Sequence, residues 1–141
     1  MAEAPISNVD SGRVRFLFPS NWTAEFGESE DGTSYTLQSP DVTFAVVGAF
    51  SSEQDPDELL EATIETFREE HPDLEVEEMD DPLAVELAFF SLDALTYVWI
   101  KSWQLEDQTV LVMVQTIEPE RELSYRIFEG ICAAAHIRKD A

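Results

Sequence analysis

The chain has 141 residues, of which 44% are hydrophobic, and this length and composition are typical of one globular domain with a buried core. Its 30 acidic residues against 8 lysines and arginines give a formal charge of -22, which repels nucleic-acid phosphates and anionic membranes. We therefore expect no nucleic-acid and no membrane partner. Because no apolar run is long enough to span a bilayer and the start MAEAPISNVD does not resemble a signal peptide, we expect a soluble, cytoplasmic protein.

The acidic residues are densest between positions 69 and 81. One interpretation is solubility at high ionic strength, since acidic residues are spread over the whole chain. The other is a docking surface for a partner with a basic surface, whose binding would weaken in salt. The residues of this predicted acidic surface are Glu69, Glu70, Asp73, Glu77, Glu78, Asp80 and Asp81.

The first part of the chain predicts short strands. We expect residues 1–12 to form a flexible N-terminal segment and residues 13–141 to form a single domain. The string RVRFLF alternates apolar and polar residues, and PSN then indicates a turn before a second strand at residues 22–26, which together predict a hairpin. TSYTLQ and the uniformly apolar VTFAVVGAF predict two further strands, the second of them central in a sheet.

The pattern changes to helical spacing at Asp55. Asp55 is a suitable N-cap, Pro56 suits the first helical position, and Pro72 ends the helix, which predicts a helix over residues 56–71. Four more strands are predicted after it, by LEVEEM, AVELAFFSL, LTYVWIKSW and TVLVMVQTI. A second helix is predicted to begin at Pro119 and to bury Leu123 with the apolar residues that follow at helical spacing.

This order of elements predicts an α+β fold, in which a mostly antiparallel sheet of about six to eight strands is flanked by two main helices. A helix is about 10 Å wide and neighbouring strands lie about 4.8 Å apart, so two helices cannot cover both faces of such a sheet. We therefore expect an apolar face that needs additional cover. The candidates for this cover are long loops, the N-terminal segment, a short additional helix, a second copy of the chain or a partner protein.

An aromatic stripe on one predicted strand is the candidate binding site. Tyr97, Trp99 and Trp103 alternate along LTYVWIKSW, with Lys101 on the same face and Met113 expected across from them on the next strand. These aromatics either pack beneath a helix as a covered core or form an apolar surface for a hydrophobic helix or a second subunit.

The sequence contains no recognisable catalytic, metal or cofactor motif. It lacks the GxSxG elbow, the dinucleotide-binding and phosphate-binding glycine patterns, and the calcium-loop pattern. The lone Cys132 lies among apolar residues and is interpreted as a packing residue, while His71 and His136 are placed at helix ends. We expect no enzyme activity, no bound metal and no cofactor.

The layout resembles the PsbP-like fold. The resemblance depends on FLFPSNW, on LQSPD, on the helix at Pro56, on the paired strands LTYVWIKSW and TVLVMVQTI, and on the closing helix. This group includes photosystem accessory proteins, a Ran-binding protein and the bacterial Eag chaperones of type VI effectors. The resemblance implies a non-catalytic protein-binding module, an adaptor or chaperone. We expect it to bind its partner through an apolar sheet face with an acidic rim. The alternatives are a self-assembling homodimeric domain, and a small-ligand binder or enzyme with a pocket between sheet and helices.

Overall fold

The computed structural model describes residues 6–11, 14–30, 32–51 and 53–137. The described residues form ten strands, two α-helices and one 3₁₀ turn. The strands are β1 (Ile6–Ser11), β2 (Val14–Pro19), β3 (Thr23–Glu28), β4 (Gly32–Gln38), β5 (Phe44–Ser51), β6 (Glu75–Glu78), β7 (Ala84–Ser91), β8 (Ala94–Leu105), β9 (Gln108–Ile117) and β10 (His136–Ile137). The helices are α1 (Pro56–Glu70) and α2 (Arg121–Ala134). Neither helix combines the length and the hydropathy needed to cross a membrane.

Seven strands make the main sheet, in the order β3-β4-β5-β9-β8-β7-β6, and three make a small second sheet, in the order β1-β2-β10. Every described strand pair is antiparallel. The predicted α+β class with two main helices and an antiparallel sheet is therefore confirmed. Consecutive strands pair along β3-β4-β5 and along β6-β7-β8-β9.

The predicted hairpin between residues 13–18 and 22–26 is wrong. β2 pairs with β1 and β10, whereas β3 pairs with β4 in the main sheet. Between them the Trp22 N–H donates a hydrogen bond to the Pro19 carbonyl at 3.0 Å, and the buried Trp22 side chain anchors the crossing from one sheet to the other. Part of the N-terminal segment, Ile6–Ser11, is strand β1, while residues 1–5 and 12 lie outside the described residues.

The main sheet has an apolar core on each face. The face that carries Trp99 and Val112 packs against α2 and β2, and we call it the α2 face. The opposite face carries Ile100 and Leu111, packs against α1, and is called the α1 face. Because side chains alternate along a strand, β8 and β9 supply apolar side chains to both cores, which explains their continuous hydrophobic character.

Helix α1 follows its sequence signals closely. The Asp55 side chain accepts a hydrogen bond from the Asp57 N–H at 2.9 Å, and Pro56 occupies the first turn. At the other end the His71 N–H donates to the Phe67 carbonyl at 2.8 Å, and the helix ends at Glu70, one residue before the predicted limit. Leu60 and Ile64 are the buried side chains that dock it on the sheet.

Helix α2 begins later than predicted, because Glu118–Glu120 form a 3₁₀ turn and the α-helix starts at Arg121. Its orientation depends on the buried Thr43 hydroxyl, which lies 2.8 Å from the Thr116 hydroxyl and 3.0 Å from the Ser124 hydroxyl and donates to Glu120 at 2.8 Å. This network turns Ser124 inward and leaves Leu123 48% exposed. The prediction that Leu123 is buried is therefore wrong.

We expect Asp55→Ala to lower the free energy of unfolding by about 1 kcal/mol, because the substitution leaves the Asp57 N–H without its capping acceptor. Urea unfolding followed by circular dichroism measures the change. Glu61→Ala, at an exposed position within the same helix, is the control and should shift the value by less than about 0.5 kcal/mol. Equal effects of the two substitutions would contradict the role of the cap.

Candidate functional site

The predicted aromatic stripe lies mostly inside the protein. Trp99 is 1% exposed and Tyr97 is 8% exposed, and only Trp103 remains half-buried. The Trp99 ring lies 5.3 Å from the ring of Tyr125 and 6.4 Å from that of Phe128, both on α2. Trp99 therefore belongs to the core beneath α2, and its ring face is not available to a docking surface.

Two other residues predicted for this site are placed differently. Met113 pairs with Ile100, whereas Trp99 pairs with Val114, so the register puts Met113 on the opposite, α1 face of the sheet. Lys101 is paired: its Nζ lies 2.8 Å from an Asp81 carboxylate oxygen and 5.0 Å from the centre of the Trp103 ring. The stripe is therefore not one continuous surface.

The α2 face is uncovered at both margins of the sheet, over β3, whose six residues are exposed, and over β6 and β7. α2 contacts β9 and β8, and β2 packs with β4 and β5 residues on the same face. On the uncovered strip over β6 and β7, Glu75 pairs with Ala88 and Glu77 pairs with Glu86. Phe90 at the end of β7 pairs with Leu95 of β8. Phe90 is 74% exposed. Additional apolar surface, expected from the width of the sheet, is present at this end, and Phe26 of β3, 46% exposed, adds apolar surface at the other end.

The β7–β8 turn is strained and hydrophobic. Its two loop residues, Leu92 and Asp93, have positive φ values of 51° and 65°, the geometry of a type I′ turn. Asparagine and glycine are the preferred residues there, because a larger side chain crowds the backbone in the left-handed region. Leu92 is also 99% exposed, so its side chain gains no burial within this chain. We call residues 90–93 the hairpin tip.

A groove of about 460 Å³ lies next to the hairpin tip, between the end of α1 and the starts of β6 and β8. The His71 ring stacks on Phe89 inside it, with the ring centres 3.9 Å apart. Three carboxylates form its acidic rim. Its lining residues are Glu70, His71, Pro72, Asp73, Leu74, Glu75, Ala88, Phe89, Phe90 and Leu95.

A second, larger cavity of about 660 Å³ lies further along β7, between the end of β6 and the start of α2. We call it the acidic cleft, because six of its side chains are carboxylates and its floor is aromatic. Its lining residues are Glu77, Glu78, Met79, Asp80, Glu86, Trp99, Glu118, Pro119, Arg121, Glu122 and Tyr125.

Glu86 organises the floor of the acidic cleft. One of its carboxylate oxygens accepts from the Trp99 indole N–H at 2.9 Å and from the Arg121 guanidinium at 3.1 Å. The guanidinium also lies 4.1 Å from the centre of the Tyr97 ring. The hydrogen bond of the Tyr97 hydroxyl with Glu118, together with its burial, raises the pKa of Tyr97 above its usual value. Tyr97 is therefore neutral at physiological pH.

The predicted acidic surface divides between the two cavities. Glu77, Glu78 and Asp80 line the acidic cleft, and Glu70 and Asp73 line the groove at the hairpin tip. Glu69 is exposed and lines neither cavity. Asp81 is half-buried, and its pKa is lowered because it accepts hydrogen bonds from Lys101 and from the backbone N–H of Leu83.

Phe90 and Leu92 were not predicted as site residues. Phe90 is the outward member of a strand whose apolar neighbours are buried, and alternation alone does not distinguish it from them. The signal that points to Leu92 in the sequence is the Leu-Asp pair between two predicted strands, because a two-residue turn there normally carries asparagine and glycine. The described residues contain no group of three or more side chains arranged to hold a metal ion. Burial raises the pKa of the Cys132 thiol to about 12.

No protein-family model matches this sequence, and no curated protein matches it significantly. The structure is similar to that of the Ran-binding protein Mog1p of Saccharomyces cerevisiae, with a TM-score of 0.64, 9% identity and coverage of 96% of each chain. It is also similar to cyanobacterial PsbP (CyanoP) from Synechocystis, with a TM-score of 0.60, 11% identity and coverage of 96% of this chain and 94% of that one. LpqN, involved in cell envelope biogenesis of Mycobacterium tuberculosis, has a TM-score of 0.53, 10% identity and coverage of 96% and 91%. These similarities show that the chain has the PsbP-like fold.

We expect Glu86→Ala to lower the free energy of unfolding by about 1–3 kcal/mol, because the buried Trp99 indole N–H loses its acceptor. Glu86→Gln retains an amide oxygen at the same position and should have a clearly smaller effect. Urea unfolding followed by tryptophan fluorescence measures both. Equal losses for the two variants would show that the charge of Glu86, and not its acceptor oxygen, supports the cleft.

Proposed function

We propose that this PsbP-like domain is a non-catalytic protein-binding module, an adaptor or chaperone, whose docking surface is the hairpin tip with its adjoining groove. The apolar contacts come from Phe90, Leu92 and Leu95. The partner presents an apolar pocket surrounded by basic residues. This surface is an apolar sheet face with an acidic rim, as expected from the sequence, but it lies at the uncovered end of β7 and not at the buried Trp99. The protein acts in the cytoplasm.

The main support for this docking surface is the backbone conformation and the exposure of Leu92. A leucine in the left-handed region raises the energy of the folded chain by about 1 kcal/mol relative to asparagine or glycine. A side chain that is 99% exposed recovers none of this energy by packing within its own chain. Strained backbone that persists without an internal benefit is characteristic of functional sites. The benefit is supplied when Leu92 is buried against a partner.

The charge around the hairpin tip determines what kind of partner fits. Glu70, Asp73 and Glu75 line the groove, and Asp93 lies in the turn itself. With a formal charge of -22, the chain attracts basic surfaces over the distance at which proteins first meet. A second copy would present the same acidic rim, and like charges would face each other across the interface. This repulsion favours a basic partner over the homodimer.

The similarity to Mog1p supports a protein-binding role, because that protein of the same fold is a Ran-binding protein. The fold by itself does not carry a function, so the similarity supports the class of function and not the partner. The number of apolar residues at the hairpin tip favours an adaptor, since a chaperone that shields a long hydrophobic segment needs a larger apolar surface.

We expect Leu92→Asn to stabilise the domain by about 1 kcal/mol and at the same time to abolish partner binding, because asparagine tolerates positive φ and removes the apolar side chain. Thermal unfolding gives the first readout. Capture from a lysate of the source organism, with mass spectrometry of the retained proteins, gives the second. Leu123→Ser, which removes an exposed leucine from α2, is the control and should retain the partner.

Leu92→Asn is expected to raise the stability of the domain while it removes partner binding. A loss of the partner is then not caused by unfolding. A partner lost with Leu92→Asn and with Phe90→Ser, but kept with Leu123→Ser, supports the proposal. A partner that all variants retain refutes the hairpin tip as the docking surface. Capture of the chain's own copy alone, with a mass that rises with concentration, would establish self-association in its place.

A further inference from the structure

The acidic cleft and the hairpin tip lie on the same uncovered strip of the α2 face. Glu86 on the cleft floor and Phe90 at the tip are four residues apart on β7 and point to the same side of the sheet. At about 3.4 Å per residue, about 14 Å separates them. Half-buried Ala88 lies between them and lines the groove. A partner docked on the tip therefore extends readily over the cleft.

The negative charge of the acidic cleft is only partly neutralised within the chain. Arg121 is paired with Glu86 at 3.1 Å, and Arg126 is paired with Glu122 at the same distance. Within the described ranges, Glu77, Glu78 and Asp80 have no lysine or arginine partner. Surplus negative charge therefore lies along the β6 side of the cavity, facing the aromatic floor.

The aromatic floor suits an organic cation. The face of a tyrosine ring attracts ammonium and guanidinium groups, and nearby carboxylates strengthen this attraction. Of the two floor rings, half-buried Tyr125 is the accessible one, since α2 covers Trp99. The chain contains an example of the same chemistry, the Arg121 guanidinium 4.1 Å from the centre of the Tyr97 ring. At Tyr125, burial makes the largest contribution to raising the pKa of the hydroxyl, and the carboxylates of Glu129, Asp80 and Glu86 raise it further.

We infer that the acidic cleft receives a lysine or arginine side chain of the same partner that buries Leu92, an inference that rests on the proposed function. The partner then presents its apolar pocket to the hairpin tip and a cationic side chain to the cleft, and the levels of Phe90 and Glu86 along β7 are about 14 Å apart. The cationic group lies between the carboxylates of Glu77 and Asp80 and the ring of Tyr125. This pairing adds specificity, because a neutral side chain would leave those carboxylates without a counter-charge.

The test uses the cleft alone, with N-acetyl-arginine amide as the probe. Heteronuclear NMR of the full chain follows the Trp99 indole N–H and the signals of Tyr125 during a titration. We expect saturable shifts with the arginine probe and with N-acetyl-lysine amide. We expect none with N-acetyl-citrulline amide, which has the shape of arginine without its charge. The shifts should weaken as salt is added.

The double variant Glu77→Gln/Asp80→Asn should weaken binding of the arginine probe about fivefold, because it removes two of the unpaired carboxylates. The matched control Glu25→Gln/Glu28→Gln removes the same charge from β3, at the opposite edge of the sheet, and should leave the affinity unchanged. Equal weakening in both double variants, or equal binding of citrulline and arginine, would overturn the inference.

The cleft and the hairpin tip respond to different substitutions. Leu92→Asn should leave the arginine titration unchanged, since the hairpin tip does not line the cleft. If the arginine probe binds saturably and the Leu92→Asn variant still captures the partner, the cleft is a cation site but the hairpin tip is not the docking surface. Loss of the partner with Leu92→Asn, without any arginine response, would support the hairpin tip as the docking surface and refute the cleft as a cation site.

Discussion

The width of the main sheet is the constraint on which the rest of the structure depends. Seven strands about 4.8 Å apart span about 29 Å, whereas one helix covers about 10 Å. On the α2 face the chain adds β2 as a second covering element, and this cover reaches β4, β5, β9 and β8. It leaves β3 open at one margin and β6 and β7 open at the other. Both candidate cavities lie at the β6–β7 margin.

Polar contacts fix the position of the N-terminal end of α2 on the sheet. The Thr43 hydroxyl binds Ser124 and Glu120 at the start of β5, while Glu86 on β7 binds both Arg121 and the Trp99 indole N–H. The first turn of the helix is therefore fixed between two sheet positions. Arg121 forms one wall of the acidic cleft because of this arrangement, and the cleft has a defined shape before any partner arrives. Preformed sites of this kind lose less conformational entropy on binding.

Much of the fold could be predicted from local signals. The Asp55 cap and Pro56 located α1 to within one residue, and alternation located the strands that line the core. Pairing across the sheet could not be read locally: the opposite faces of Met113 and Trp99 follow from a register that only the folded β8–β9 ladder establishes. Leu123 could not be predicted correctly for a related reason. A buried hydroxyl network that includes Ser124, and not hydrophobicity, determines which side of α2 faces the sheet. The positive φ of Leu92 likewise depends on the length of the turn between two strands.

The edges of the main sheet have a consequence for the protein in concentrated solution. β6 is an outer strand with the sequence EVEE and four exposed residues, and β3, the other outer strand, also carries exposed glutamates. Unpaired backbone groups at such edges are templates for aggregation, and charged side chains on them oppose that pairing. Two copies that approach edge to edge bring carboxylates together at either margin. The domain is thereby protected against fibrillar assembly by its own glutamates, without a proline or a bulge in either strand.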